Sequence, residues 1–313
     1  MTAVEGAVDA RALRAHVQAL AGDIGERNVF RPRALAAAAG YIEAAWRGQG
    51  YEVTPQVYEA HGVRSANLEV TRPGNAQREG VLLLGAHYDS IMGGPGANDN
   101  GSGVAALLEL SRLFAGLAPA MSVRFVAFVN EEPPFYMSGD QGSMVYARAA
   151  RVRGDDIRLM VALETIGCYR DTPGSQRYPP LFRLFYPSRG NFLAFVSDFR
   201  SRGLMHHVAA AFRTRSDFPL EHVATFSLVP GVSWSDHRSF WVNGYRAFMV
   251  TDTAFYRYRY YHTAEDTPDK LSYPEFARAT EGLYRAFAAV ATDGLVGAAG
   301  EGPRRARSHG SGN

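Results

Sequence analysis

Two histidines and three acidic residues of this 313-residue chain follow apolar segments or lie in a glycine-rich turn. They are His87, Asp99, Glu132, Glu164 and His262. Imidazole nitrogens and carboxylate oxygens are ligands that zinc takes from proteins. If Asp99 bridges two ions, each ion receives one histidine and one further carboxylate, and positions stay open for water and substrate. The set therefore predicts a catalytic site with two zinc ions.

Two further carboxylates accompany these ligands. Asp89 follows His87 by two residues, and side chains two apart on an extended chain point to the same face. Asp89 is therefore placed to accept a hydrogen bond from the second ring nitrogen of His87, or to steady the site nearby. Glu131 precedes Glu132 and is left beside a metal, where it is able to act as a general base.

Each of these segments also has a structural interpretation. A histidine at a strand end often only packs, Asp99 suits the N-cap of the helix that follows it, and the two adjacent glutamates suit a solvated turn. In the segment Trp234-Ser235-Asp236-His237, a helix start capped by Ser235 and a site role for Asp236 or His237 both stay open. The glycine-rich turn around Asp99 lacks the Gly-Lys-Ser/Thr element of a phosphate-binding loop.

A scaffold must bring these distant residues together, and the hydrophobic pattern predicts one. Continuous or alternating apolar residues predict strands at 51–59, 66–72, 80–87, 123–129, 158–163 and 246–250. Apolar residues at helical spacing predict helices at 10–22, 33–48, 104–114, 191–203 and 273–291. Alternating strands and helices indicate an α/β three-layer sandwich, with a central mixed, largely parallel sheet flanked by helices. The polar residues follow the strands, at the sheet edge where such folds place their sites.

Composition narrows the class of protein. A formal charge of +2 and 46% hydrophobic residues predict a globular protein without a nucleic-acid partner. With Cys168 as its one cysteine, the chain forms no intramolecular disulfide. No signal-peptide core or membrane span is visible, which predicts a cytoplasmic protein without a membrane partner, although a secreted chain that has lost its signal peptide would look the same. We expect one catalytic domain at 1–297 and a disordered tail at 298–313.

The motifs, taken in order, resemble those of peptidase family M28, the co-catalytic zinc aminopeptidases and related carboxypeptidases. The resemblance covers about residues 10–292. It rests on Gly85-Ala86-His87-Tyr88-Asp89-Ser90, Gly96-Ala97-Asn98-Asp99-Asn100-Gly101-Ser102-Gly103, Asn130-Glu131-Glu132, Glu164, Ser235-Asp236-His237 and His262-Thr263.

The resemblance implies a role for each matching position. It implies one zinc on His87, Asp99 and Glu164, and a second on Asp99, Glu132 and His262. It also implies Glu131 as general base, Asp89 as a supporting carboxylate and Tyr261 as a residue that steadies the tetrahedral intermediate. A cis peptide bond often follows the bridging aspartate in the family. Family members commonly have aspartate at the position of Glu164, whose rivals here are Asp155, Asp156 and Asp171.

The implied function is hydrolysis of peptide-like amide bonds, with aminopeptidase as the favoured activity and a peptide or aminoacyl compound as substrate. The alternatives are a glutaminyl cyclase, which uses one zinc on the positions of Asp99, Glu132 and His262, and a scaffold of the same fold that has lost catalysis. Residues 135–137 and 256–260 are candidates to line the substrate pocket. Arg257 or Arg259 is a candidate to bind a substrate carboxylate. The oligomeric state is not predicted.

Overall fold

The computed structural model describes residues 7–75 and 80–295. Within these residues, eight strands form one sheet: β1 (Thr54–Ala60), β2 (Val63–Arg72), β3 (Val81–His87), β4 (Ser122–Phe128), β5 (Ile157–Glu164), β6 (Leu193–Ser197), β7 (Leu220–Ala224) and β8 (Ala247–Thr251). The α-helices of the same residues are α1 (Ala10–Val17), α2 (Pro32–Gly48), α3 (Gly103–Ala115), α4 (Gly142–Arg153), α5 (Arg202–Arg215), α6 (His237–Val242) and α7 (Tyr273–Asp293).

The sheet is parallel at its centre and mixed towards its edges. Its order is β1-β2-β4-β3-β5-β8-β6-β7. Strands β4, β3, β5 and β8 run parallel, whereas β2 runs antiparallel to its neighbours β1 and β4, and β6 runs antiparallel to β8. This confirms the prediction of a mixed, largely parallel sheet. Because the four central strands are parallel, their carboxyl ends meet at one edge.

Alternate side chains of each strand point to opposite faces of the sheet. Because apolar side chains lie on both faces, helices cover both. Leu82 and Leu84 of β3 belong to the larger core, which α1, α2, α3, α5 and α7 cover. Leu83, between them, packs into a second core with Tyr146 of α4 and Phe240 of α6. A strand buried on both faces reads as an unbroken apolar run, which is why β3 was visible in the sequence.

Three local predictions need correction or extension. The helix predicted at 191–203 is wrong, because Leu193–Ser197 forms strand β6 and α5 begins only at Arg202. The helix predicted at 10–22 is α-helical only as far as Val17, and a π-helical segment follows over Gln18–Ile24. Strand β7 and helix α4 were not predicted, whereas α6 begins at His237, where the segment 234–237 had left a helix start open. The tail predicted at 298–313 lies outside the described residues. No helix of the described ranges has the length and apolar character needed to cross a membrane.

Candidate metal centre

The structure brings the five predicted metal ligands together at the carboxyl edge of the sheet. His87 ends β3, Glu132 follows β4, and Glu164 ends β5. Asp99 lies in the turn Ala97–Ser102 before α3, and His262 lies in the loop between β8 and α7. Four of the five are buried, and the side chain of His262 is 33% exposed.

Asp99 lies between the two histidines and offers one carboxylate oxygen to each. Its Oδ1 is 3.2 Å from His87 Nε2, and its Oδ2 is 3.0 Å from His262 Nε2. Glu164 Oε2 is 3.3 Å from the same nitrogen of His87, and Glu132 Oε2 is 3.3 Å from that of His262. The five residues thus form two groups of three that share Asp99, and within each group the ligand atoms lie within 4.8 Å of one another.

Burial and mutual repulsion govern the charges of the site. Burial raises the pKa of Glu131, Glu132 and Glu164. Burial also lowers the pKa of His262, but hydrogen bonds with Asp99 and Glu132 outweigh it and raise that pKa to about 11. Without bound metal, protons on the histidines therefore offset part of the negative charge of the buried carboxylates. Metal cations would offset the same charge when bound.

Asp89 connects the first histidine to the glutamate pair. Its Oδ1 accepts a hydrogen bond of 3.1 Å from the backbone N–H of Glu131, and its Oδ2 accepts one of 3.1 Å from that of Glu132. Its Oδ1 also lies 3.5 Å from Nδ1 of His87. Glu131 directs Oε2 towards His87 Nε2 at 3.9 Å. One buried carboxylate therefore fixes the backbone of both the predicted base and a predicted ligand.

A second buried carboxylate, Asp266, holds the turn that carries Asp99. Its two oxygens accept hydrogen bonds from the backbone N–H groups of Asn98 and Asp99, at 2.8 and 3.1 Å. Its Oδ1 also accepts from the Tyr258 hydroxyl at 2.7 Å. The peptide bond Asp99-Asn100 is cis, as the family resemblance implies. No sequence pattern indicated this positioning role for Asp266.

The segment 235–237 contributes to the site through two of its three residues. Ser235 donates a hydrogen bond of 2.8 Å to Glu164 Oε2, so it orients a predicted ligand and does not cap a helix. Asp236 is buried, and its charge contributes to the raised pKa of Glu131. His237 packs its ring edge-on against Trp241 and contacts the carbonyl oxygen of Val232 through Nε2, which is a structural role.

The comparison with known proteins identifies the family. A sequence model of peptidase family M28 matches residues 67–287, a range that includes every residue predicted for the site. The chain belongs to peptidase family M28. YfbL of Escherichia coli K12, described as uncharacterised, is 39% identical over 254 residues, which are 78% of this M28 chain and 77% of that protein.

A relative with a named activity is more distant. Leucine aminopeptidase 1 of Fusarium vanettenii is 26% identical over 250 residues, 74% of this chain. The match spans 56% of that protein, less than two thirds of its length.

Solved structures share the fold of this M28 chain. The zinc aminopeptidase BSAP of Bacillus subtilis has a TM-score of 0.71 at 15% identity, covering 91% of this chain and 96% of that one. A glutaminyl cyclase of Fimbriiglobus ruber has a TM-score of 0.67 at 21% identity, covering 89% and 94%. At these identities the likeness establishes the fold alone, and the reaction has to be argued from the site.

A mainly apolar cleft adjoins the M28 site, and Glu164 and Tyr261 are among its lining residues. The Tyr261 ring stacks on the imidazole of His262, with centroids 3.9 Å apart. Of the residues predicted for the substrate pocket, Tyr256 lines this cleft, whereas residues 135–137 and 257–260 do not. Arg257, suggested for a substrate carboxylate, is buried and donates to the carbonyl oxygens of Cys168 and Phe192.

One supporting residue of the site gave no signal in the sequence. Arg27 is fully buried and donates hydrogen bonds to the carbonyl oxygens of Tyr88 and Gly96, which flank the segment between the His87 strand and the Asp99 turn. Burial lowers its pKa to about 10. A lone arginine in a polar stretch has no sequence pattern that indicates burial, so this role was found only in the structure.

Proposed function

We propose that this M28 protein is a zinc-dependent aminopeptidase with two ions in its active site. The observation that carries the proposal is the shared carboxylate of Asp99, which faces one histidine and one further carboxylate on each side. Ligands of a tetrahedral zinc ion at roughly 2.0–2.1 Å lie about 3.3 Å from one another. The four nitrogen–oxygen distances of 3.0 to 3.3 Å match that spacing.

The residues present fit two such ions. His87, Asp99 and Glu164 would hold one, and Asp99, Glu132 and His262 would hold the other. The buried Oδ1 of Asp99 and Oε1 of Glu132 accept no hydrogen bond from the described residues. Because buried polar atoms normally have a partner, oxygens of this kind suit a cation. Bound zinc lowers the pKa of a coordinated water and polarises the scissile carbonyl group.

The chain's own residues would carry the proton transfers. Glu131, buried near His87 and bound through its backbone to Asp89, takes the proton of the attacking water. It then delivers that proton to the amine that leaves when the C–N bond breaks. Tyr261, whose ring stacks on His262, would donate to the oxyanion of the tetrahedral intermediate. Asp89 and Ser235 position Glu131 and Glu164 for these steps.

The completeness of the first ligand group favours two ions over the single ion of a glutaminyl cyclase. A one-zinc enzyme needs Asp99, Glu132 and His262 alone. Here His87 and Glu164 are also buried. Ser235 orients Glu164 through a hydrogen bond, and Asp89 orients the backbone of Glu131 near His87. The relative named as a leucine aminopeptidase, at 26% identity, supports the aminopeptidase as the activity.

The test replaces Glu131 by glutamine and compares metal content with turnover. The amide keeps the size of the side chain but takes up no proton, so kcat should fall by about 10³-fold or more while zinc binding persists. Zinc is counted by mass spectrometry, and aminoacyl amides, N-blocked peptides and Gln-peptides serve as substrates. Two zinc ions and cleavage of unblocked substrates alone are expected. One ion with Gln-peptide cyclisation, or wild-type kcat in E131Q, would contradict the proposal.

A further inference from the structure

The floor of the apolar cleft is a straight row of residues across four strands. Glu164 of β5 pairs with Thr251 of β8, Thr251 with Ala194 of β6, and Ala194 with Glu221 of β7. All four residues line the cleft. Neighbouring strands lie roughly 4.8 Å apart, so three steps give a floor of about 14 Å. The cleft therefore begins at a predicted metal ligand and ends at a second glutamate, Glu221.

Most of the lining is apolar or aromatic, and the polar residues besides the two glutamates are Thr251, Thr253 and His222. A parallel row of the floor consists of Met249, Val196 and Val223. Three aromatic residues, Tyr178, Phe182 and Tyr186, line the end of the cleft near Glu221, and we call them the aromatic wall. Rings of Phe182 and Tyr186 are stacked with centroids 6.0 Å apart. A substrate side chain that enters this cleft from the metal site meets mainly apolar groups along its length and the carboxylate of Glu221 at the far end.

The carboxylate of Glu221 makes no direct contact with a donor or cation within the described part of the chain. It makes no hydrogen bond or ion pair there, and the nearby Tyr178 and Tyr186 hydroxyls donate to the carbonyl oxygens of Pro187 and His222. Arg213 acts on Glu221 electrostatically but donates its hydrogen bond to the carbonyl of Leu220. A half-buried carboxylate in apolar surroundings is unfavourable unless a cation or donor meets it.

We propose that this cleft receives the side chain of an amino-terminal arginine or lysine and that Glu221 determines this specificity. The inference rests on the proposed aminopeptidase function. Arginine and lysine have an apolar stem and a cationic end. An extended arginine side chain of about 7 Å covers half of the floor, and the Glu221 side chain with a hydrogen bond of about 2.9 Å spans the remainder. The stem lies on the Val and Met floor, and the cation meets Glu221 and the faces of the aromatic wall. Leucine is shorter and leaves the far end unfilled.

The experiment compares arginyl, lysyl, norleucyl and leucyl amides with wild type, E221Q and E221L. Wild type should show kcat/KM about 10-fold or more higher for arginyl and lysyl amides than for norleucyl amide, as a charge-assisted contact would give. E221Q should lose that preference while keeping kcat/KM for leucyl amide, and E221L should favour norleucyl amide. E59Q makes the same chemical change at exposed Glu59 on the opposite edge strand β1, and it should behave as wild type.

Binding measured without turnover separates this inference from the proposed function. Calorimetric titration of the turnover-deficient variant E131Q with L-argininamide and L-norleucinamide should show tighter binding of L-argininamide, and the double variant E131Q/E221Q should not show this difference. Equal affinity for the two amides, or an equal loss for all amides in E221Q, overturns the role of Glu221. Cleavage of leucyl amide with no preference for basic residues would leave the aminopeptidase standing and reject this specificity.

Discussion

Asp89 shows how one side chain can organise a site without touching substrate. Its two oxygens accept from consecutive backbone N–H groups, those of Glu131 and Glu132, while it also faces His87. A carboxylate is suited to this task because both of its oxygens accept and neither donates. The spacing to His87 indicated the contact with histidine. The two backbone contacts were not predicted, since Glu131 and Glu132 lie more than 40 positions away in the sequence.

Replacing Asp89 by asparagine tests this positioning role. An amide has one acceptor oxygen, so one of the two N–H groups would face an NH2 group and lose its buried hydrogen bond. We expect kcat/KM for aminoacyl amides to fall by about 10- to 100-fold, with weaker zinc binding, as for other residues that orient metal ligands. Kinetics and metal titration measure the two effects. D140N, at an exposed aspartate, is the control, and wild-type kinetics in D89N would reject the role.

At the scale of secondary-structure elements, the sequence predicted those site residues whose position depends on the pattern of their own segment. His87 and Glu164 end apolar strands, and Asp99 lies in a glycine-rich turn, so each was visible in its own segment. Asp266 was not visible, because its function depends on the Asp99 turn far away in the sequence. The same reason explains the error at 191–203, where a short apolar run fits a helix or a strand and only pairing with β8 decides.

The start of α3 is the element that fixes the Asp99 turn, and Gly103 makes its close packing possible. A Cβ at Gly103 would lie 2.4 Å from the carbonyl oxygen of Leu163 at the end of β5. Gly103→Ala should therefore push α3 away from β5 and destabilise the fold by about 1–3 kcal/mol, as overpacking does. It should also weaken zinc binding, because Asp99 moves with the turn. Thermal unfolding and zinc titration measure these effects.

The matched control for this variant is Gly40→Ala in α2. Gly40 is exposed within the helix, and no atom lies within 4 Å of a Cβ built there. Alanine favours the helix over glycine by up to about 1 kcal/mol, so this variant should be as stable as wild type or more stable. An unchanged unfolding temperature and zinc affinity in G103A would show that the contact between α3 and β5 does not hold the turn.

For the whole molecule, the sandwich concentrates negative charge at one end of its core. Seven carboxylates of the site are each 6% exposed or less, namely Asp89, Asp99, Glu131, Glu132, Glu164, Asp236 and Asp266. Buried charges that lack partners oppose folding. Hydrophobic packing on both faces of the sheet must therefore hold this cluster together in the protein alone. A cation that binds the folded state and not the unfolded state adds to that stability.

Metal removal should therefore lower the thermal stability of the whole domain. At a free zinc concentration 100 times Kd, one site adds about 2.7 kcal/mol, so chelation should lower the unfolding temperature by several degrees. Calorimetry with a chelator, then with added zinc, measures the loss and its recovery. His262→Ala removes a predicted ligand and should reduce the shift, whereas His207→Ala on α5 should keep it. If zinc and chelator leave the wild-type unfolding temperature unchanged, the buried carboxylates are held by packing alone, and the proposed coupling between metal and fold is rejected.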